Sequence, residues 1–163
     1  MNTITIRIIL PQDNAALAKI IRTGLEDFKA NKPGTVYFDP TTDNLYDVFL
    51  TPKSKYFVAE ENGVLLGGSG IYPTQNLPAD TCELVKLYLS SAARGKGLGK
   101  LLMQKCFAAA IEAGYQNIYL ETLPELNIAV PLYEKMGFSY LPGPLGNSGH
   151  DGCNIWMIKD LCK

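Results

Sequence analysis

Residues 83–100 read Glu83-Leu-Val-Lys-Leu-Tyr-Leu-Ser-Ser-Ala-Ala-Arg-Gly-Lys-Gly-Leu-Gly-Lys100, an apolar run followed by a glycine-rich basic turn. The run Cys82–Leu89 predicts a central strand, and the apolar spacing over Gly97–Ala113 predicts a helix. At the start of a helix several backbone N–H groups have no helical partner, and the helix dipole adds positive charge. This arrangement therefore predicts a site for a phosphate or pyrophosphate group.

Two familiar phosphate-binding motifs do not fit this turn. The Walker pattern requires a glycine where Arg94 stands and a Ser or Thr where Leu101 stands. The Rossmann pattern fails because other residues occupy its last glycine position. What remains is the shorter motif Arg94-x-x-Gly97-x-Gly99, placed between a predicted strand and a predicted helix.

The remaining chain predicts an α/β fold with a mixed sheet and helices on its faces. Early strands follow one another as hairpins, with Asn62-Gly63 as a strong turn signal, whereas later strands alternate with helices. Three glycines within Val64–Tyr72 predict a bend or a close backbone approach. The predicted strands are Thr3–Ile9, Tyr56–Glu60, Val64–Tyr72, Cys82–Leu89, Ile118–Thr122, Phe138–Leu141 and Cys153–Ile158. The predicted helices are Asp13–Phe28, Thr42–Leu50, Gly97–Ala113 and Ala129–Met136.

Length and composition predict one globular domain over residues 1–163. The chain is 47% hydrophobic and 19% charged, as in ordinary globular proteins. Its net charge of −1 argues against nucleic acid as a partner, because general polyanion binders are more basic. No apolar run approaches the roughly 20 residues of a membrane span, and the first ten residues lack the order of a signal peptide. We therefore expect a cytoplasmic protein with no membrane partner.

The cysteines and the single histidine argue against a metal centre. Cys82, Cys106, Cys153 and Cys162 form no C-x-x-C pair, and His150 is the only histidine. A zinc site built from such residues is not expected, so no metal is predicted. The four cysteines are expected as reduced thiols, and Cys153 as an isolated buried thiol.

Two segments together resemble a known family. The motif Arg94-x-x-Gly97-x-Gly99 is similar to the acetyl-CoA pyrophosphate loop of the GNAT superfamily of N-acyltransferases. About forty residues later, Ala129-Val-Pro-Leu-Tyr133-Glu-Lys-Met-Gly137-Phe138 resembles that family's second signature. The resemblance implies a GNAT-like fold with a splayed central strand, acetyl-CoA as cosubstrate, and direct acetyl transfer in a ternary complex. The implied acceptor is a primary amine of a small molecule or peptide, and a homodimer is a possible assembly.

The same resemblance implies the cofactor contacts. The backbone beside Leu87, Tyr88 and Leu89 would bind the pantetheine arm as an added strand does. The amides of 95–100 would bind the pyrophosphate, with nearby basic side chains neutralising its charge. Many family members carry an Asn where this chain has Leu126, so Asn127 is either a shifted cofactor contact or a helix N-cap. The implied set is Leu87, Tyr88, Leu89, Arg94, Gly95, Lys96, Gly97, Leu98, Gly99, Lys100 and Asn127.

The same resemblance implies the catalytic roles. Tyr133 stands at the family's position for protonating the leaving thiolate, and Glu83 is the candidate base at the start of the central strand. Glu121 or a water relay are alternatives to Glu83, and His150 is either a catalyst or a solvated loop residue. Lys86 is unusual for a buried strand: its side chain either extends to an edge of the sheet or pairs with Glu83 or with the substrate.

The acceptor path and the exact activity stay open at the sequence level. Acceptor entry is expected between the N-terminal helical region and the loop Pro142–Gly152, lined by Tyr37, Phe38, Asp39 and Asp43. One alternative function is a coenzyme A or acyl-CoA sensor without catalysis. Another is the same fold acting with a different acyl group or on a hydroxyl.

Overall fold

The computed structural model describes residues 3–149 and 151–162. It contains a mixed sheet with helices, as the sequence predicts. The strands are β1 Ile4–Ile8, β2 Lys55–Glu61, β3 Val64–Tyr72, β4 Thr81–Leu89, β5 Asn117–Thr122, β6 Ser139–Leu141 and β7 Ile155–Asp160. The α-helices are α1 Asn14–Asp27, α2 Leu45–Val48, α3 Leu98–Glu112 and α4 Ala129–Lys135. The sheet order is β1-β2-β3-β4-β5-β7-β6, in which β4 and β5 are parallel and the other neighbours antiparallel.

Helices α1 and α3 cover opposite faces of the sheet. Alternate residues of a strand point to opposite faces, so the packing of the β2 side chains shows which face each helix covers. Tyr56 and Val58 pack in the core cluster of α1, whereas Phe57 and Ala59 pack in the cluster that contains residues of α3. None of the helices within residues 3–149 and 151–162 has the length and apolar character needed to cross a membrane.

Local turn signals are confirmed where they were strongest. Asn62 and Gly63 both adopt left-handed backbone angles, with φ of 53° and 79°, as a tight hairpin between β2 and β3 requires. Gly137 follows α4 with φ 99° and ends that helix.

Two large apolar side chains of the regular elements, Leu101 and Ile8, are exposed. Leu101 is 47% exposed, and Met103 is fully buried in its place, because the buried stripe of α3 passes to one side of position 101. Ile8 does not follow Ile4 and Ile6 into the core, and Ile9 is buried on the α1 side instead.

A bulge and a splay in β4 create the space for a site. Gly68 pairs with Tyr88 and Gly70 with Val85, so two residues of β4, Lys86 and Leu87, lie opposite one residue of β3. Strand β4 pairs with β5 only over residues 81–83, after which the two parallel strands diverge. Among the residues that the structure describes, the backbone of β4 from residue 84 onward therefore has no strand partner on its β5 side.

The glycines of β3 leave room for the side chain that fixes this bulge. A Cβ at Gly68 would lie 2.5 Å from Tyr56 Cε1, and one at Gly70 would lie 2.7 Å from its Cδ2. The absence of these side chains leaves room for the Tyr56 ring, whose hydroxyl donates to the Lys86 carbonyl at 2.8 Å. The predicted close approach is thus confirmed, and it fixes the backbone of β4 at the bulge.

Candidate active site

The divergence of β4 and β5 opens a cleft, here called the long cleft, of about 870 Å³ counted out to its open mouth. One wall is β4 over residues 84–89, and the other consists of the end of β5 with residues 126–133. Arg94 and Phe28 border it next to the glycine-rich loop. A pocket of this size and shape is typical of small-molecule or cofactor binding.

A second cavity, here called the inner cavity, adjoins the long cleft. Its lining includes Glu83, Lys86, Thr122 and Cys153, with α1 and residues 35–36 on the outer side. Lys86, Thr122 and Glu121 border both spaces. The two cavities therefore meet at the point where β4 leaves β5, and a molecule in each could approach the other there.

The glycine-rich loop is open rather than packed against its neighbours. Gly95 and Gly97 have φ of 80° and 75°, and a Cβ on either would meet no atom within 4 Å. Helix α3 begins at Leu98, whose side chain is buried, so the first amides of the helix face this open turn. Gly99 faces Leu132 of α4 so closely that a Cβ would lie 3.1 Å from its Cδ2.

The basic residues of the loop differ in their surroundings. The Arg94 guanidinium donates to Asp27 at 3.3 Å and to the Leu89 carbonyl at 3.4 Å, and it lies over the Phe28 ring. These contacts tie the loop to α1 and β4. Lys96 and Lys100 are exposed, and neither forms an ion pair with any residue that the structure describes.

Glu83 is a buried carboxyl group with an unusual acidity. It is 5% exposed, and the Thr74 hydroxyl donates to its Oε1 at 2.5 Å. Burial raises the pKa of Glu83 to about 7, and the negative charge of Glu121 acts in the same direction. The Thr74 hydrogen bond and the positive charge of Lys86 oppose this rise. A carboxyl group with such a pKa can exchange a proton near neutral pH.

Glu121 is brought to the same place but is held differently. The Tyr119 hydroxyl donates to its Oε2 at 2.6 Å, and the Ser148 hydroxyl donates to its Oε1 at 2.5 Å. Both carboxylate oxygens are therefore engaged, one by β5 itself and one by the loop after β6. The structure thus brings together the two carboxylates that the sequence analysis left as alternatives.

Tyr133 lies on the wall of the long cleft. It is 7% exposed, and its ring contacts Phe138 edge to face. Within residues 3–149 and 151–162 its hydroxyl makes no hydrogen bond. Burial raises the pKa of Tyr133, so the phenol keeps its proton at neutral pH. An unpaired neutral phenol beside a cleft is available as a proton donor.

Some predicted residues lie away from the cavities. Asn127 is exposed, whereas its neighbours Leu126 and Ile128 border the long cleft. The N-cap alternative for Asn127 is wrong, because Ile128 holds that position without a side-chain cap. His150 lies outside the described residues.

The residues predicted to line the acceptor entrance do not form the walls of either cavity. Tyr37 donates to Glu26, and Asp43 forms an ion pair with Arg22 of α1. Neither these residues nor Phe38 and Asp39 line the long cleft or the inner cavity; Thr35 and Val36 line the inner cavity instead.

Sequence reasoning missed Thr122 at the end of β5. It is 3% exposed, borders both cavities, and its Oγ1 has no hydrogen-bond partner in the described part of the chain. Buried hydroxyls normally have a partner, so this one is free to bond a ligand. Only the parallel alignment of β4 and β5 could have pointed to it, and a single Thr carries no motif.

The cysteines are free thiols, as expected. Burial raises the pKa of Cys153 to about 12, and the negative charges of Glu121 and Glu83 act in the same direction. A thiol with this pKa stays protonated and is a poor nucleophile. Among the residues that the structure describes, no group of three His, Cys, Asp or Glu side chains is arranged to hold a metal ion.

The sequence matches known proteins over most of its length. The family model described as the acetyltransferase (GNAT) family matches residues 21–138. The chain is 41% identical over 152 residues to the uncharacterized N-acetyltransferase YjgM of Escherichia coli K12, covering 92% of this chain and 90% of the relative. The chain therefore belongs to the GNAT acetyltransferase family, whose members are acetyl-CoA-dependent acyltransferases, and it is an enzyme of that class.

Solved structures share the fold. An acetyltransferase of the GNAT family from Staphylococcus aureus Mu50 has a TM-score of 0.86 at 21% identity, covering 98% of this chain and 99% of that chain. YncA from Salmonella typhimurium, solved with its cofactor acetyl-CoA, has a TM-score of 0.75 at 22% identity, covering 98% and 94%. The predicted GNAT-like fold is thereby confirmed.

Proposed function

We propose that this protein transfers an acetyl group from acetyl-CoA to a primary amine of a small molecule or peptide, directly and within a ternary complex. The observation that carries the proposal is the meeting of two cavities at the splay of β4. The long cleft leads from Arg94, which precedes the glycine loop, to Tyr133, and Glu83 lines the inner cavity. A donor and an acceptor can therefore occupy separate spaces that share one wall.

The donor half of the site fits coenzyme A. The amides of residues 95–100 and the side chains of Lys96 and Lys100 would hold the pyrophosphate. The space beside Gly95 and Gly97 is open, since a Cβ at either position would meet no atom within 4 Å. The unpaired edge of β4 near Leu87, Tyr88 and Leu89 would bind the pantetheine amides as an additional strand. The acetyl-CoA bound to the fold neighbour YncA supports this assignment. Acetyl-CoA supplies an activated thioester carbonyl.

Glu83 acts as the base in this proposal. An amine with an ordinary pKa near 10.4 is unprotonated in only about one molecule in 10³ at pH 7, so proton removal lowers the barrier. Glu83 lies in the inner cavity with a pKa raised to about 7, which suits it to accept that proton. Glu83 takes one proton from the ammonium group, and the amine lone pair then forms the C–N bond as the C–S bond breaks. The second N–H proton is released and replaces, through solvent, the proton that Tyr133 gives to the departing thiolate.

Tyr133 acts as the acid, and the backbone of β4 stabilises developing charge. The Tyr133 hydroxyl borders the cleft, keeps its proton at neutral pH, and can donate it to the departing thiolate. Unpaired N–H groups on β4 are suited to the charge that develops on the thioester oxygen. Asn127, which is exposed, has the weakest support among the predicted cofactor contacts.

The test is an assay of purified protein with acetyl-CoA and a panel of amines. Thiol release that requires the amine, together with an acetylated product identified by mass, supports the proposal. Intersecting initial-rate lines distinguish direct transfer from a covalent acetyl-enzyme route. Tight binding of acetyl-CoA without turnover on any acceptor would instead indicate a sensor, and a different product mass would indicate another acyl group or a hydroxyl acceptor.

A further inference from the structure

Lys86 occupies an exceptional position in β4. It lies in the bulge with φ of 54°, a left-handed conformation that non-glycine residues seldom adopt. The hydrogen bond from Tyr56 to its carbonyl holds this conformation in place. A bulge redirects side chains, and Lys86 borders both the long cleft and the inner cavity.

The Lys86 ammonium has no direct partner. It forms no ion pair or hydrogen bond with the residues described by the structure. Glu83 and Asp39 are the carboxylates whose charges act on it from a distance. A cation that is partly withdrawn from water and unpaired is costly to retain, so its presence calls for an anion at this point.

The charges of the inner cavity match a molecule that carries both signs. Glu83 and Glu121 lie on its wall and attract a protonated amine, whereas Lys86 attracts an anion. When Glu83 takes the amine proton it becomes neutral, and an acceptor carboxylate then remains to balance Lys86. A simple alkyl amine would leave Lys86 unpaired, and a polyamine would place a further cation near it.

We infer that the acceptor is an α-amino acid or a close analogue, whose carboxylate binds Lys86 while its amine faces Glu83. This inference rests on the proposed function and names its substrate class. The inner cavity, about 470 Å³ counted out to solvent, is within the size range for such compact molecules. In this arrangement Lys86 is a specificity residue that positions the amine.

The experiment compares acceptors that differ only in the carboxylate. The twenty L-amino acids are assayed beside their amides and their decarboxylated amines, with the wild-type protein, Lys86→Met, Lys86→Arg and Lys105→Met. Lys105 is exposed on α3 and borders neither cavity, so its variant controls for loss of a surface charge. Thermal unfolding of each variant verifies that it is folded.

Amino acids should be used at least about tenfold better than their amides, mainly through KM. Lys86→Met should abolish this preference by raising the KM of the amino acids to that of their amides, Lys86→Arg should restore part of it, and Lys105→Met should behave as wild type. Equal use of amides and amino acids, or a preference that survives Lys86→Met, would overturn the inference and leave the proposed function intact.

Calorimetric titration of amino acids into the protein–coenzyme A complex separates recognition from catalysis. Binding that is lost in Lys86→Met, in the absence of thiol release with any acceptor, would uphold the inference about recognition and overturn the proposed function. Neither binding nor thiol release would overturn both.

Discussion

The Thr74 hydroxyl donates a 2.5 Å hydrogen bond to the Glu83 carboxyl group, and this is the one side-chain hydrogen bond that Glu83 makes within residues 3–149 and 151–162. A hydrogen bond to the charged form lowers the pKa of a carboxyl group. Burial nevertheless prevails and raises the pKa of Glu83 to about 7. The balance leaves a base that is about half ionised at neutral pH, which has kinetic and thermodynamic consequences.

The pH dependence of catalysis should report the ionisation of Glu83. We expect kcat/KM to rise with pH and to level above about 7, because the base acts only when it is deprotonated. Glu83→Gln should remove this rise, the acidic limb of the pH profile, and lower kcat/KM by about 10² or more. Glu121→Gln is the matched control: it should keep the limb and move it to lower pH, since the charge of Glu121 raises the pKa of Glu83. A limb that persists in Glu83→Gln would assign the base to another group.

Stability should respond to the same group with a defined sign. The pKa of Glu83 is about 7 in the folded protein and near its ordinary 4.5 when unfolded, so the folded state binds more protons between these values. Wild-type stability should therefore fall, relative to Glu83→Gln, as the pH rises from 5 to 8, by about 2 kcal/mol. Urea unfolding of both proteins at the two pH values measures this difference. An equal pH dependence for the two proteins would contradict the raised pKa.

Gly97→Glu should strongly weaken coenzyme A binding while the fold remains. The substitution places bulk and negative charge in an open turn that faces the amides of α3. We expect the affinity to fall on the order of 100-fold, equivalent to about 3 kcal/mol. Gly97→Ala is the control, because it has the same cost of placing a side chain at φ 75°. It should bind coenzyme A far better than Gly97→Glu, which distinguishes the effect of backbone strain from exclusion of the ligand. Calorimetry measures the affinity, and a Gly97→Glu protein that binds normally would refute the assignment of the loop.

Tyr133→Phe should lower turnover more than affinity. The hydroxyl makes no hydrogen bond within the described ranges, so its removal leaves the packing intact. We expect kcat to fall about tenfold, a modest loss because a thiol with a pKa near 8.5 leaves readily without an acid. The dissociation constant for acetyl-CoA should stay within about twofold. Tyr115→Phe is the control, since that hydroxyl donates to the Lys53 carbonyl away from both cavities; equal effects of the two variants would remove Tyr133 from the mechanism.

Thr122→Val should stabilise the free protein and weaken its complex. Replacing a buried hydroxyl that has no partner by a methyl group removes a desolvation cost of about 1 kcal/mol. If the hydroxyl bonds the ligand, the stabilisation by coenzyme A should shrink in the variant. Thermal unfolding with and without coenzyme A measures both effects. Thr81→Val is the control and should destabilise, because the Thr81 hydroxyl donates to Asp80; a Thr122→Val protein with unchanged ligand response would show that Thr122 does not contact coenzyme A.

Local signals in the sequence predicted most of the elements, while the chemistry of the site depends on tertiary structure. The Asn62-Gly63 turn and the glycine loop after β4 depend on nearby residues and were predictable. The conformation of Lys86 results from a register mismatch between β3 and β4, which a single strand does not encode. The raised pKa of Glu83 likewise depends on burial by distant segments. Thr122 became visible as a site residue only once β5 was seen to part from β4.

The Tyr56 ring packs behind Gly68 and Gly70 of β3 and holds the backbone of β4 at Lys86, a residue that borders both the long cleft and the inner cavity. In the function proposed above, main-chain amides of the glycine loop and of β4 bind the acetyl donor, and the Tyr56–Lys86 hydrogen bond fixes the backbone of β4 at its bulge. In the same proposal, side chains on the wall of the inner cavity bind the acceptor. Side chains that line the inner cavity and not the long cleft, such as Val36 and Cys153, therefore offer a route to a re-engineered acceptor preference that changes no residue facing the donor.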